Sequence, residues 1–276
     1  MNKNNVFPRL IVHFILILGA IFIILPFCWV TTNSFKKPSE LIAYPPSFLP
    51  KEPTLSNFTT IFRETPFITW LFNSIEFAIL STIAILITSA LSGYILAKFK
   101  FPGRGIIFLT ILATAIAPFE VYMISLYLIA SKLCILNSMG GILLGYLVMS
   151  FGIFLIRQNV LASIPDELIE AARVDGASEW WIFFRVIVPL LRGPMGALAI
   201  LAFLQAWTAF VWPLLVASSK NMYTLEVGLA LFQTGFTVDY GKVSAGAFIA
   251  ILIPTIFFLL MRRAFFESIA LTGLRE

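Results

Sequence analysis

Six apolar stretches, residues 10–32, 70–97, 105–130, 139–156, 193–216 and 245–261, leave this chain no way to fold in water alone. Each is close to the roughly 20 apolar residues that let a helix cross a hydrocarbon core. A lone strand in lipid would leave its backbone N–H and C=O groups unpaired, so each stretch is expected to be helical. Composition points the same way. Of the 276 residues 59% are hydrophobic and 12% charged, with a mean hydropathy of +0.95, against roughly a quarter charged in a soluble domain. The expected fold is all-α, a polytopic membrane protein with six transmembrane helices making one domain over residues 1–276. The first stretch exceeds a signal-peptide core and lacks a small-residue cleavage site, so it is read as retained.

Lys and Arg set the orientation. With the N-terminus inside, 12 of the 19 fall on inner segments and seven on outer ones. Four of those seven lie in one long loop, where the charge rule weakens. Both termini are therefore expected to be cytoplasmic, and the net charge of +5 needs no nucleic acid to explain it. Cys28 and Cys134 have neither metal nor redox spacing. A disulfide between them is geometrically conceivable, and two buried thiols behaving as small hydrophobes are the ordinary alternative. His13 reads as a packed or interfacial residue. Ser89 with Gly93, and Gly141 with Gly145, place small residues at helical spacing where helices can approach closely.

Two loops stand out. The outer one, 33–69, holds Pro38, Pro45, Pro46, Pro50, Pro53 and Pro66, a density that favours an extended, semi-rigid path. The inner one, 157–192, is polar yet helical in pattern. Ser163 and Asp166 have capping-box spacing, Pro165 suits a first turn, and Asp166 and Glu167 suit the positive end of a helix. Gly176 is a natural stop. Ser178 can then cap a second helix carrying Trp180, Trp181, Phe183 and Phe184 and ending at Pro189. Ala171 and Ala172 leave one face of the first helix nearly flat beside Glu170. That face suits insertion into a partner's groove, and equally Ala, Glu and Leu are simply good helix formers.

Glu170-Ala171-Ala172, Gly176 and Val186-Ile187-Val188-Pro189 resemble, in sequence and spacing, the Glu-Ala-Ala signature of ABC-importer permeases. Valine replaces the signature's Ile and Leu. The likeness covers nearly the whole chain and is closest to the second permease of the maltose-type carbohydrate-uptake branch. It extends to residues 164–168, to Tyr44-Pro45-Pro46-Ser47-Phe48 and Asn57-Phe58, to Asn73-Ser74, to residues 206–214, and to residues 238–242 with 245–247. Thr208 departs from the branch's usual Asn, and the tail from Phe266 keeps its glycine pattern only loosely.

The resemblance implies a bacterial cell-membrane subunit of a type I importer, moving a di- or oligosaccharide or a related polyol or glycerol phosphate. It implies a second homologous permease, two ABC ATPase subunits and an extracytoplasmic sugar-binding protein as partners. It makes Glu170, Ala171, Ala172, Asp175, Gly176 and Pro189 the ATPase-coupling residues, with Glu170 facing an ATPase arginine. ATP and Mg would be held by the ATPase. A P-loop needs Gly, four residues, then Gly-Lys-Ser/Thr, whereas five residues stand between Gly235 and Gly241-Lys242, and Val243 follows. No catalytic or metal site is expected in this chain.

For the substrate path, Glu76 is expected about 9 Å along its helix from Trp70, and Glu120 about 22 Å from Gly105, at roughly 1.5 Å per residue. Both fall in the outer half. With Tyr122, Gln205, Trp207 and Thr208 they could line a polar vestibule, or the two acids could join neighbouring helices or meet the sister permease. An ion-coupled carrier or channel is the competing class. Such carriers often show inverted repeats and paired intramembrane charges, neither of which is evident here.

Overall fold

A computed structural model describes residues 6–234 and 237–273. In chain order these form α1 (Val6–Ser34), α2 (Pro38–Leu41), α3 (Ser56–Glu64), α4 (Phe67–Lys98), α5 (Arg104–Ile116), α6 (Phe119–Lys132), α7 (Met139–Leu144) and α8 (Ser150–Ser163). Then come α9 (Asp166–Val174), α10 (Glu179–Ile182), a π-helical turn (Phe183–Ile187), α11 (Val188–Leu190), α12 (Arg192–Trp207) and α13 (Val211–Val216). A 3₁₀ turn (Lys220–Met222), α14 (Leu225–Ala230), β1 (Gln233–Thr234), β2 (Thr237–Val238) and α15 (Tyr240–Gly273) complete the chain. The fold is helical as expected, apart from the antiparallel pairs Gln233–Val238 and Thr234–Thr237.

Among the described residues three helical segments are long and apolar enough to cross a membrane unbroken: Leu10–Ser34, Phe67–Lys98 and Tyr240–Arg262. The other three apolar stretches are interrupted, and the cause can be read at each break. The third stretch bends by 102° between α5 and α6. Pro118 disfavours helix at the residue before it, and Ala117 is extended at φ −70°, ψ 122°. The fourth breaks after α7 at Gly145, where the Trp212 indole stands 3.0 Å from where a Cβ would lie. The fifth breaks between α12 and α13. Pro213, which has no N–H to donate, thereby falls in the first turn of α13, where none is needed. A further bend of 79° separates Glu179–Leu190 from α12. The count is five spans if each bent pair is one.

The chain divides into two compact units, Met1–Phe67 with Leu229–Leu252, and Ile68–Gly228 with Ile253–Glu276. In the first, no part of the apolar window of α1 is buried. Lys36, just past the end of α1, is 2% exposed. Its ammonium donates to Asn33 Oδ1 at 2.7 Å and to the Ser47 carbonyl, and lies 4.7 Å over the Trp29 ring. Burial pulls its pKa below the usual lysine value, against the pull of Glu40. Asn57 donates to the carbonyls of Ser34 (3.0 Å) and Lys36 (2.7 Å). These bonds tie the proline-rich outer loop to the end of α1. The loop is less extended than its prolines imply. Pro38 opens α2 at a first-turn position, and proline-free α3 buries Asn57 and Ile61, four apart, on one face.

The second unit is built on α4, with α8 packed against α5 and α12. A Cβ on Gly93 of α4 would lie 2.8 Å from Ile156 Cγ2 and 2.9 Å from the backbone nitrogen of Arg157. A Cβ on Gly152 of α8 would lie 2.5 Å from Ser89 Oγ. The Ser89–Gly93 pair thus does let a helix come close. So does Gly141, whose Cβ would meet Val216 Cγ1 of α13 at 2.9 Å. Ile85, Tyr94, Ile156, Val160, Ile187 and Leu198 are among the buried side chains of the resulting core. Cys28 and Cys134 are free thiols.

Because backbone of α8 blocks a methyl at position 93, Gly93→Ala is expected to destabilise the protein by about 1–3 kcal/mol. Gly105→Ala, with nothing within 4 Å of the added carbon, should stay within about 0.5 kcal/mol. Thermal unfolding of both variants in detergent micelles makes the comparison, and equal melting temperatures would refute the close-contact argument.

Candidate functional site: the Glu-Ala-Ala loop and a polar cleft

The loop is positioned from its first residue. Ile164, the C-cap of α8, is 2% exposed and belongs to the core. Pro165 precedes α9 with no side-chain cap. Ser163 does not form the expected capping box. It is the last residue of α8, and its hydroxyl donates back to the Asn159 carbonyl, as serine commonly does within a helix. Asp166 pairs instead with Lys98, the last residue of α4. The same ammonium donates to the Ile164 carbonyl. Lys98 holds the Asp166 carboxyl below its ordinary pKa. The pair is therefore intact at neutral pH and is lost only as pH falls through that lowered value.

Helix α9 buries one residue, Ile169, with Ala172 half-buried against the core. Glu167, Leu168, Glu170, Ala171, Val174 and Asp175 are exposed, Val174 at 87%. Gly176 ends the helix at φ +83°. Its N–H bonds the Arg173 carbonyl and that of Ala177 bonds the Ala172 carbonyl, both at 3.0 Å, which is the Schellman arrangement. Ser178 Oγ accepts from the Trp181 N–H and caps α10 as expected. Arg173 Nε donates to Glu179 Oε1 at 2.7 Å, which raises the pKa of Arg173, and the Tyr94 hydroxyl lies 3.4 Å from Glu179 Oε2. The helix does not stop before Pro189. The π turn, with the Val188 N–H reaching back to the Phe183 carbonyl, widens the helix ahead of a residue that cannot donate, and helix resumes through Leu190.

The residues expected to couple an ATPase are not all on one surface. Ala171, Ala172, Asp175 and Gly176 line an open groove of about 690 Å³ with Leu168, Trp181 and Val186. Glu170 faces a smaller hollow of about 300 Å³ with Lys98, Lys100 and Arg173. Pro189 is in neither. Sequence reasoning did not find Tyr94, Lys98 or Glu179. The first two lie on α4, far from the loop in sequence, and nothing local to the motif points to them.

A second concavity, about 550 Å³, is lined by Glu120, Tyr122, Gln205 and Thr208 together with Thr114, Tyr146, Ser150 and Trp212. Glu120 is in the first turn of α6, beyond the Pro118 bend, so its expected distance along a straight helix does not hold. Phe119 lies edge-on to Tyr122 at 5.1 Å and to Trp212 at 5.8 Å. Thr114 and Ser150 share a hydrogen bond of 2.8 Å. Glu76 is exposed on α4 and outside this cleft, and Trp207 is 3% exposed, stacked on Phe203. The cleft thus pairs hydroxyl, amide and carboxylate groups with aromatic faces. Among the described residues no group of three His, Cys, Asp or Glu could hold a metal ion.

Comparison with known proteins places the chain among its relatives by sequence and by fold. The chain is 33% identical to the arabinooligosaccharides transport system permease protein AraQ of Bacillus subtilis, over 95% of this chain and 94% of the relative. It is 30% identical to the lactose transport system permease protein LacG of Rhizobium radiobacter, over 95% and 94%. A chain in the crystal structure of a bacterial ABC transporter involved in import of the acidic polysaccharide alginate matches with a TM-score of 0.81 and 21% identity. It covers 96% of this chain and 99% of that one, a likeness of fold. Residues 89–266 match the family model for the binding-protein-dependent transport system inner membrane component, and the chain belongs to that family.

Proposed function

We propose that this chain is a permease subunit of an ATP-driven sugar importer, in which the α9 loop couples an ATPase to the membrane helices. The observation that carries the reading is the state of α9. Its start and end are fixed to its own chain, while Leu168, Ala171, Asp175 and Gly176 line a groove left open. A helix so held offers a partner a small-residue surface. The transport systems named for its relatives handle lactose and arabinooligosaccharides, and a cleft of hydroxyl, carboxylate and aromatic groups suits a polyol. A di- or oligosaccharide is the proposed cargo, with a glycerol phosphate or other polyol as a related one.

The proposed assembly places a second homologous permease beside this one, two ATPase subunits against the α9 loops, and a sugar-binding protein on the outer face. Both termini then lie in the cytoplasm. ATP and Mg belong to the ATPase. Closure of the two ATPases would carry each α9 with it, and Glu170, at the edge of its hollow, would meet a cation of the ATPase.

In the reconstituted complex, Glu170→Lys is expected to lower binding-protein-stimulated ATP hydrolysis at least about tenfold. Severing a buried charged pair at an interface costs about 2–5 kcal/mol, and each 1.4 kcal/mol is tenfold. Normal stimulated hydrolysis would defeat the coupling proposal. Glu120→Gln should slow sugar uptake roughly tenfold at unchanged expression, since a hydrogen bond to a charged group carries about 1.5–3 kcal/mol. Uptake with unaltered rate and affinity would remove Glu120 from the path.

A further inference from the structure

The joints on either side of α9 are weak conductors of force. Before it, Ile164 and Pro165 are extended, at φ −117°, ψ 105° and φ −64°, ψ 148°. After it, Gly176 is left-handed at φ +83°. At such points no helical hydrogen-bond ladder carries a push from one element to the next. Both joints are nevertheless bridged by side chains. The Lys98 ammonium bonds the Ile164 carbonyl on one side of the first joint and the Asp166 carboxylate on the other. Arg173, before the second joint, holds Glu179, beyond it.

The first bridge ends on α4 directly, and the second, which joins α9 to α10, reaches α4 through Tyr94. Lys98 is the last residue of α4, and Tyr94, one turn back on the same face, directs its hydroxyl at Glu179. The Lys98 side chain is only 8% exposed although it carries a charge. Phe99 extends the contact, with its ring against Tyr94 at 5.5 Å and the Arg173 guanidinium 5.9 Å from its centroid. The end of α4 is itself tied down by Arg104, which donates to the Phe99 carbonyl at 3.1 Å. Gly93, one residue before Tyr94, is a point where α4 meets the backbone of α8 closely.

Taken together, these contacts tie α9 to α4, distant in sequence, as well as to α10, its neighbour in the chain. We propose that Lys98 is a positioning residue for energy coupling: it clamps the first joint of the loop to α4, so that α9 and the cytoplasmic end of this unbroken spanning helix move as one body. The proposal rests on the coupling role of α9, and adds which membrane helix receives the movement.

Two experiments on the full complex test it. In the first, Lys98→Met keeps the aliphatic stem and removes the donors, while Lys98→Arg keeps donors. The readout is sugar transported per ATP hydrolysed, in proteoliposomes containing equal amounts of assembled complex. The expected result is a fall of at least fivefold for Lys98→Met and a ratio within twofold of the parent for Lys98→Arg. A residue that only stabilises the fold would lower the yield of complex and leave the ratio alone, which would overturn the proposal. Glu170→Lys in the same assay separates the two claims. A loss of stimulated hydrolysis in Glu170→Lys beside a normal ratio in Lys98→Met removes the Lys98 clamp and keeps the coupling role of α9, and normal hydrolysis in the first with a normal ratio in the second removes both.

The second experiment does not depend on how Lys98→Met folds. Lys98→Cys and Asp166→Cys are introduced together after Cys28 and Cys134 are replaced by serine, and the pair is joined by a bifunctional thiol reagent of about lysine length. If α4 and α9 move together, the cross-linked importer keeps at least half its uptake rate. Failure of the pair to cross-link, or uptake that is abolished by the linkage and returns on its reversal, would show that they part during transport and would overturn the clamp.

Discussion

The close approach of α4 to α8 at Gly93 is the constraint on which the working end of the molecule depends. With Ile156 Cγ2 and the Arg157 backbone nitrogen less than 3 Å from the missing Cβ, the helices meet at backbone distance, and small residues at such contacts are how membrane helices associate without a hydrophobic force between them. The contact has a consequence beyond packing. It brings the end of α4 level with the end of α8, so that Lys98 reaches the Ile164 carbonyl and the Arg157 side chain reaches the Leu96 carbonyl at 3.2 Å. Basic residues thereby answer carbonyls left unpaired at the C-termini of both α4 and α8. The Glu-Ala-Ala loop is attached at a place that this helix contact already fixes.

What the sequence made legible were features whose causes are local. Apolar length predicts six spanning helices, because the cost of exposing backbone to lipid does not depend on neighbours, and three of them are found unbroken among the described residues. Gly176 predicts a helix stop and Ser178 a cap because each acts within three or four residues, and both are found in those roles. Ser163 illustrates the limit. Its spacing to Asp166 fits a capping box, but the spacing is equally compatible with a hydroxyl turned back to Asn159, and the choice was settled by Lys98, distant in sequence, which takes Asp166. The interruptions at Pro118 and Pro213 have local causes as well. Apolar run length alone passes over them, because a bent pair of helices is as hydrophobic as a straight one.

The candidate cleft shows the same division. Glu120, Tyr122, Gln205 and Thr208 share one wall system because the Pro118 bend redirects α6 and the break after Trp207 exposes Thr208. A straight reading of both helices places Glu120 at a distance that the 102° bend abolishes, and says nothing about which polar residues meet. Trp207, expected in the cleft, is stacked inside on Phe203, while Trp212, for which no role was expected, lines the cleft and donates to the Ile142 carbonyl at 2.9 Å. Tryptophan that buries its face must still satisfy its N–H, and the carbonyl of Ile142 in α7 does so for Trp212.

How α9 is held also explains why so little of it is buried. A helix secured by a broad apolar face would resist any displacement in proportion to the area it covers, since burial is non-directional and each part of the face must be re-exposed to move. Helix α9 commits one isoleucine to the core and relies on charged hydrogen bonds at its two ends, which are directional and fix orientation with little area. The surface left over, with Val174 and Leu168 exposed among carboxylates, is then free to meet something else. A segment anchored at its ends and bare along its length has the mechanical character of a lever: stiff where it joins the body, and open where force is applied.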